Sequence, residues 1–369
     1  MVLPAEAAQR WLFYIGIPIC LPAVLHAWRH LARGPLVWSI AAFLGYSAIS
    51  ALWSDNWMTI GDELRRAFWI GYFLLTCRAI GDFGLPRLRG ALRAVLVFAA
   101  VMALFEAADF VFACHDCSRL TGLGDHAKST WTGMITGAIA LLGLSATLYG
   151  PGVPPLGLLL CQAPLCAQLI ATGSRGAVLG YIASSLFGVA LARRWSGPHQ
   201  TRRALATVLG CLGLAAASVA VLGRGWLRSE IARGDSFRFQ LWSVNLHRIA
   251  HRPWFGHGAT TRDLVATADG SIITHAHNLF LAQTFYGGVV GCALWVAVLV
   301  FALRTGWLTL RSSGELVPLL PLAFLLVICE FDIGPVIVDV QPEWLFVWVV
   351  LGVALAYDVD LRRRAITSR

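Results

Sequence analysis

Apolar stretches of bilayer length recur along almost the whole chain, and that recurrence decides the fold class before any other feature is weighed. A hydrocarbon core of about 30 Å takes roughly 20 apolar residues wound as a helix. Inside it every backbone polar group must be satisfied within the protein, which leaves helix as the element for such runs. The composition agrees: 57% of the 369 residues are hydrophobic and only 13% are charged, outside the range of soluble globular domains. The pattern predicts an all-α polytopic membrane helix bundle forming one transmembrane domain over residues 1–369. Spans are expected near 10–28, 35–53, 66–80, 91–113, 131–149, 155–172, 175–192, 204–223, 278–303, 315–333 and 343–358, about eleven in all.

Charge orients these spans. Alternate connections carry Arg29 and Arg33, then Arg78, Arg87, Arg89 and Arg93, then Arg193, Arg194, Arg202 and Arg203, then Arg304 and Arg311, then Arg362, Arg363, Arg364 and Arg369. All share one parity, so that side is read as cytoplasmic. The opposite parity, expected to face outward, which in a bacterium means the periplasm, holds a smaller loop at 114–130 and a large one at 224–277. No cleavable signal peptide is expected at the first apolar run. Seven cysteines lie in or beside apolar runs and read as small core residues. Cys114 and Cys117, in a polar Cys-His-Asp-Cys step, suit a disulfide if that loop meets an oxidising compartment.

The large outer loop is basic on the side where basic residues should be scarce. It carries seven arginines against four acids. Asp235-Ser236 forms a helix N-cap. Phe237, Leu241, Val244 and Ile249, with Trp242 alongside, then give helical apolar spacing up to Pro253. Arg238, Asn245, Arg248 and Arg252 fall toward the polar face. An amphipathic helix over the bundle is expected, followed by the turn Gly256-His257-Gly258.

Several residues of this outer parity are candidates for chemistry. His277 follows His275 by two and precedes Asn278, a suitable cap for the next span. A histidine at a helix N-terminus is held neutral by the positive end of the dipole and can accept a proton; as an interfacial residue it would only cap or pack. Arg175, in Thr172-Gly173-Ser174-Arg175-Gly176, sits at a helix start on the membrane boundary, a place that favours a cation only if an anion joins it. Snorkelling to lipid phosphate is the alternative. Arg238 stands one turn before Trp242, again at a helix start. Arg119 lies with Asp125, His126 and Lys128, the only lysine, in the smaller outer loop, which could close over a substrate or remain an ordinary polar loop. Glu106, Asp109, Glu330 and Asp332 lie toward outer helix ends, where they could bind a hydroxyl-rich acceptor, although pairing with arginines is the expected use. No Walker loop, no Gly-x-Ser-x-Gly elbow and no metal-ligand spacing is evident. No cofactor or metal is expected, and nucleic acid is an unsuitable partner for arginines in inter-span loops.

Taken together, these residues resemble the O-antigen ligase family. The resemblance is carried by Ser174-Arg175-Gly176, by Arg238-x-x-x-Trp242, and by Arg252-Pro253-Trp254-Phe255-Gly256-His257-Gly258. It is strongest in His277-Asn278-Leu279-Phe280 with Gly287-Gly288-Val289-Val290-Gly291. Leu52-Trp53-Ser54 and Arg119-Leu-Thr-Gly122 are weaker marks. The likeness is shared with O-antigen polymerases and protein O-oligosaccharyltransferases, and it implies a GT-C-like membrane glycosyltransferase. The family usually has about twelve spans, one more than the eleven read here. The implied donor is a glycan on undecaprenyl pyrophosphate, and the implied acceptor is lipid A–core among the membrane lipids. His277 would be the catalytic base. Arg175, Arg238, Asn278, Arg119, Trp242 and His275 would bind substrate. A repeat-unit polymerase on the same carrier, or a transporter of lipid-linked glycan, are the alternative readings.

Overall fold

A computed structural model describes residue 16 and residues 19–25, 33–56, 59–112, 119–122, 128–148, 155–195, 197–232, 234, 238–266, 272–273, 275–331, 333–339 and 341–367. Cys114, Cys117, Asp125, His126, Asp235, Ser236 and Asp332, and most of the first expected span, lie outside them. The described chain is helical almost throughout. Its helices are α1 (Pro35–Ser50), α2 (Ile60–Asp82), α3 (Leu85–Phe112), α4 (Ser129–Leu148), α5 (Pro155–Ala171), α6 (Arg175–Trp195) and α7 (Pro198–Ala232), followed by α8 (Arg238–His251), α9 (Leu279–Ser313), α10 (Leu319–Ile328) and α11 (Val349–Thr367). A π-helical turn, Trp344–Trp348, leads into α11, and Val265–Ala266 pairs antiparallel with Ile272–Ile273. Among the described residues, seven helical segments are long and apolar enough to cross a membrane. Helices α5 and α10 are shorter apolar pieces, and α2 has the length but carries charge at both ends. These ten segments match the expected spans from 35–53 onward, and the protein is an all-α polytopic membrane protein.

Small residues set the packing. The short helix α10 lies against α4 and α6. A Cβ on Gly137 or Gly180 would sit 2.5 Å or 2.9 Å from the Phe324 ring, so the two glycines make the slot that Phe324 fills. Helices α2 and α11 approach as closely: a Cβ on Gly81 would lie 2.5 Å from the Ala356 carbonyl. Lipid tails are as apolar as leucine, so close van der Waals fit of this kind, rather than hydrophobic burial, holds such helices together. Trp295, Trp348, Phe43, Phe285 and Phe346 complete the buried centre.

The ion pairs and loop contacts separate into two poles that follow the expected parity, while Gln162 meets Ala140 and Tyr181 within the helices. At one, the Arg78 guanidinium donates to Asp358 at 2.8 Å and to the Arg33 carbonyl at 2.8 Å, Arg363 meets Asp82 at 2.6 Å, and Arg89 meets Glu315 at 3.1 Å. At the other, Arg66 meets Asp339 at 3.0 Å, the Leu120 amide donates to the Ala171 carbonyl at 2.9 Å, and Thr260 donates its amide to Ser54 at 3.1 Å.

Three local expectations change. Helix α7 runs past Arg224 to Ala232, interrupted by non-helical Gly223 (φ 83°, ψ 173°), so the large outer connection opens as helix rather than loop. Asn245, expected on the polar face of α8, is fully buried beside Leu241 and donates Nδ2 to the Leu241 carbonyl at 3.0 Å. Arg78, read as a loop charge, is 1% exposed and ion-paired.

Candidate functional site

The first turn of α9 organises the site. Asn278 takes an extended conformation (φ −148°, ψ 119°), and its Oδ1 accepts from the Leu281 amide at 3.0 Å. This satisfies one of the orphan N–H groups of the helix start. The same side chain donates Nδ2 to Glu330 Oε2 at 3.0 Å, and the Leu279 amide donates to the Cys329 carbonyl at 2.7 Å. Thus the start of α9 is tied to the residues that follow α10. On the other side, Trp242 of α8 donates Nε1 to the Ala276 carbonyl at 3.1 Å.

His277 lies between these ties with φ 50°, the one positive φ at a non-glycine position among the described residues. Such a conformation costs energy and persists where the surroundings enforce it. The His275 ring packs 4.2 Å away, centroid to centroid. His277 Nδ1 is buried and has no hydrogen-bond partner among the described residues, an unmet bond that a bound group could complete. Burial first, then the charges of Arg238 and Lys128, push the His277 pKa down to about 4. The imidazole is therefore neutral at physiological pH, as expected from the sequence, but the principal cause is desolvation and neighbouring cations.

Arg238 opens α8 and sets its guanidinium 5.9 Å from the Phe331 ring centroid, one residue beyond Glu330. So His275, His277, Asn278, Arg238 and Trp242 form one cluster where α8, α9 and the end of α10 converge. Arg119 and Arg175 belong to a second group at the α5–α6 corner. The Thr172 carbonyl accepts from Arg119 Nε at 2.7 Å. Gly173 turns at φ 59°, and exposed Arg175 begins α6. A Cβ on Gly133 of α4 would touch Ser174. Lys128, just before α4, acts electrostatically on His277, and its ammonium lies 4.6 Å from the Trp131 ring. Lys128 and Glu330 were visible in the sequence as an outer-loop cation and a span-end acid, but nothing there tied either to His277.

The glycine motifs have a structural task. Helix α9 breaks at Gly288 (φ 64°, ψ −166°), which frees carbonyls and amides that a continuous helix would pair. The 253–258 turn takes them up. His257 and Gly258 donate their amides to the Phe285 and Tyr286 carbonyls at 2.8 Å each, and Val289 donates to the Pro253 carbonyl at 2.8 Å. Tyr46 Oη donates to the Gly287 carbonyl at 2.7 Å. A Cβ on Gly288 would fall on the Trp254 carbonyl. Arg248 serves this same scaffold: it meets buried Asp263 at 2.5 Å and lies 4.3 Å from the Phe285 ring. Among the described residues no three His, Cys, Asp or Glu side chains are grouped to hold a metal ion.

The fold and this cationic, histidine-bearing pole define a polytopic membrane protein with an enzyme-like site at one end of its bundle. Residues 161–296 match the family model described as O-antigen ligase. The chain is also 29% identical over 366 residues to an O-antigen ligase of Pseudomonas aeruginosa, covering 97% of this chain and 87% of that protein. Both likenesses support the O-antigen ligase family, membrane proteins of lipopolysaccharide biosynthesis, as what this chain is similar to.

Proposed function

We propose that the protein transfers a glycan from undecaprenyl pyrophosphate to a sugar hydroxyl of lipid A–core at the periplasmic face of the inner membrane. The observation that carries this reading is His277: a neutral imidazole with an unpartnered ring nitrogen, at a helix N-terminus beside Arg238 and Lys128. Arg238 and Arg175, each at a helix start, bind the diphosphate and stabilise the charge that grows as the bond from the anomeric carbon to phosphate oxygen breaks. The acceptor hydroxyl oxygen attacks that carbon from the opposite face and gives its proton to His277. Configuration inverts, and undecaprenyl pyrophosphate leaves with the bonding electrons. Arg119 holds the corner from which Arg175 projects. The diphosphate is already a good leaving group, so neither a metal nor a covalent intermediate is invoked.

Purified protein in lipid nanodiscs, given lipid-linked glycan with either lipid A–core or a second lipid-linked repeat unit, tests the proposal. Glycosylated lipid A–core is the expected product. Carrier-linked chains of greater length alone would make it a polymerase, and movement of intact donor without bond exchange would make it a transporter.

A further inference from the structure

We infer that Glu330 is a positioning residue, which holds His277 in its left-handed conformation through a carboxylate–amide latch onto Asn278. The inference rests on His277 being the base proposed above.

Four observations carry it. His277 alone among the described non-glycine residues has a positive φ, so its backbone needs restraint. The imidazole Nδ1 makes no bond that could supply that restraint. The restraint instead comes from its neighbours in the chain: Ala276 through Trp242 Nε1, Asn278 through Glu330 Oε2, and Leu279 through the Cys329 carbonyl. Finally, both polar ends of the Asn278 amide are engaged inside the protein, Oδ1 by Leu281 and Nδ2 by Glu330. Asn278, expected as a substrate ligand, is thereby assigned a structural part. Of the three ties, the one to Glu330 is made by two side chains, and it joins the start of α9 to the segment that also bears Phe331 under Arg238. One latch thus sets the position of the base relative to the cation that binds the donor.

The polarity of the latch makes it testable by exchange. Glu330→Ala removes the side-chain acceptor and leaves only the longer contact of Asn278 Nδ2 with the residue 330 carbonyl at 3.5 Å. The expected result is a fall in kcat of about 10- to 100-fold with donor KM changed less than about threefold, since misplacing a catalytic group by an ångström is enough for that loss. Glu330→Gln keeps an acceptor oxygen and is expected to recover most of kcat. Asn278→Asp sets two carboxylates face to face and is expected to lose kcat as Glu330→Ala does. The double variant Asn278→Asp with Glu330→Gln restores the bond with donor and acceptor reversed, and is expected to recover at least tenfold over Asn278→Asp alone. No recovery in the double variant, or equal losses in kcat and donor affinity, would overturn the latch. Amide hydrogen exchange at Leu279 and Leu281 reads the latch without activity. Faster exchange in Glu330→Ala, reversed in Glu330→Gln, supports it even if His277 proves not to be the base; unchanged exchange refutes it.

Discussion

His277 shows how one side chain is prepared by its surroundings. Its depressed pKa keeps it deprotonated, the state that the proposed role as base requires. The pH dependence follows from the sign of that shift. Activity should hold between about pH 8 and pH 5 and fall only as the imidazole protonates near pH 4. Removing a neighbouring cation removes a cause of the depression, so Arg238→Gln should move the acid limb to higher pH besides weakening donor binding. A pH profile of kcat/KM on both proteins measures this; an acid limb near pH 6.5 in the wild type would contradict it. Arg238→Ala should also lower turnover by roughly 100-fold, the loss typical of one charge-stabilising donor. At this scale the sequence was partly legible. His277, its neutrality and the Asn278 cap follow from residue type and order. The Glu330 partner does not, because 52 residues separate it from Asn278 and no local pattern pairs them.

Elements were legible where periodicity speaks and illegible where helices break. The expected spans from 35–53 onward and the amphipathic helix of the large outer connection are present, because apolar spacing reports directly on what faces lipid or core. The breaks at Gly223 and Gly288 were hidden, since a glycine within an apolar run is also ordinary helix in a membrane. The second break is the more consequential. It makes the backbone of α9 available to the 253–258 turn and so fixes that segment of the outer connection on the bundle. Gly288→Ala should therefore be costly, about 1–3 kcal/mol for the forced backbone alone, with more from the clash at Trp254. The expected readouts are a lower thermal unfolding temperature in detergent and protease cleavage near residues 252–258; a variant as stable and resistant as wild type would show that the break is not needed. Asn245 departs from the expectation for a related reason: it is buried where the tertiary fold covers that side of the helix, and the helical wheel does not contain the covering partners.

Over the whole molecule, the division of charge into two poles joins topology to chemistry. One pole spends its arginines on ion pairs within the bundle. Asp358→Ala there should destabilise the protein by about 3–5 kcal/mol, because it leaves buried Arg78 uncompensated; thermal unfolding gives the comparison. The other pole also forms ion pairs, Arg66 with Asp339 and Arg248 with Asp263, and in addition sets Arg175 and Arg238 at helix starts, where an anion can meet both charge and backbone N–H groups. The orientation predicts that, in a background with the nine cysteines replaced, a membrane-impermeant thiol reagent labels Arg252→Cys from outside the inner membrane and does not label Arg87→Cys. The reverse pattern would place the site on the wrong side for a periplasmic acceptor. The most direct test of the account is single-turnover transfer of glycan from undecaprenyl pyrophosphate to lipid A–core by wild type and His277→Ala, both shown to bind donor. Glycosylated lipid A–core is expected from the wild type, with a rate lower by about 100- to 10,000-fold in the variant, the span of general-base catalysis. Transfer by His277→Ala at the wild-type rate would contradict it.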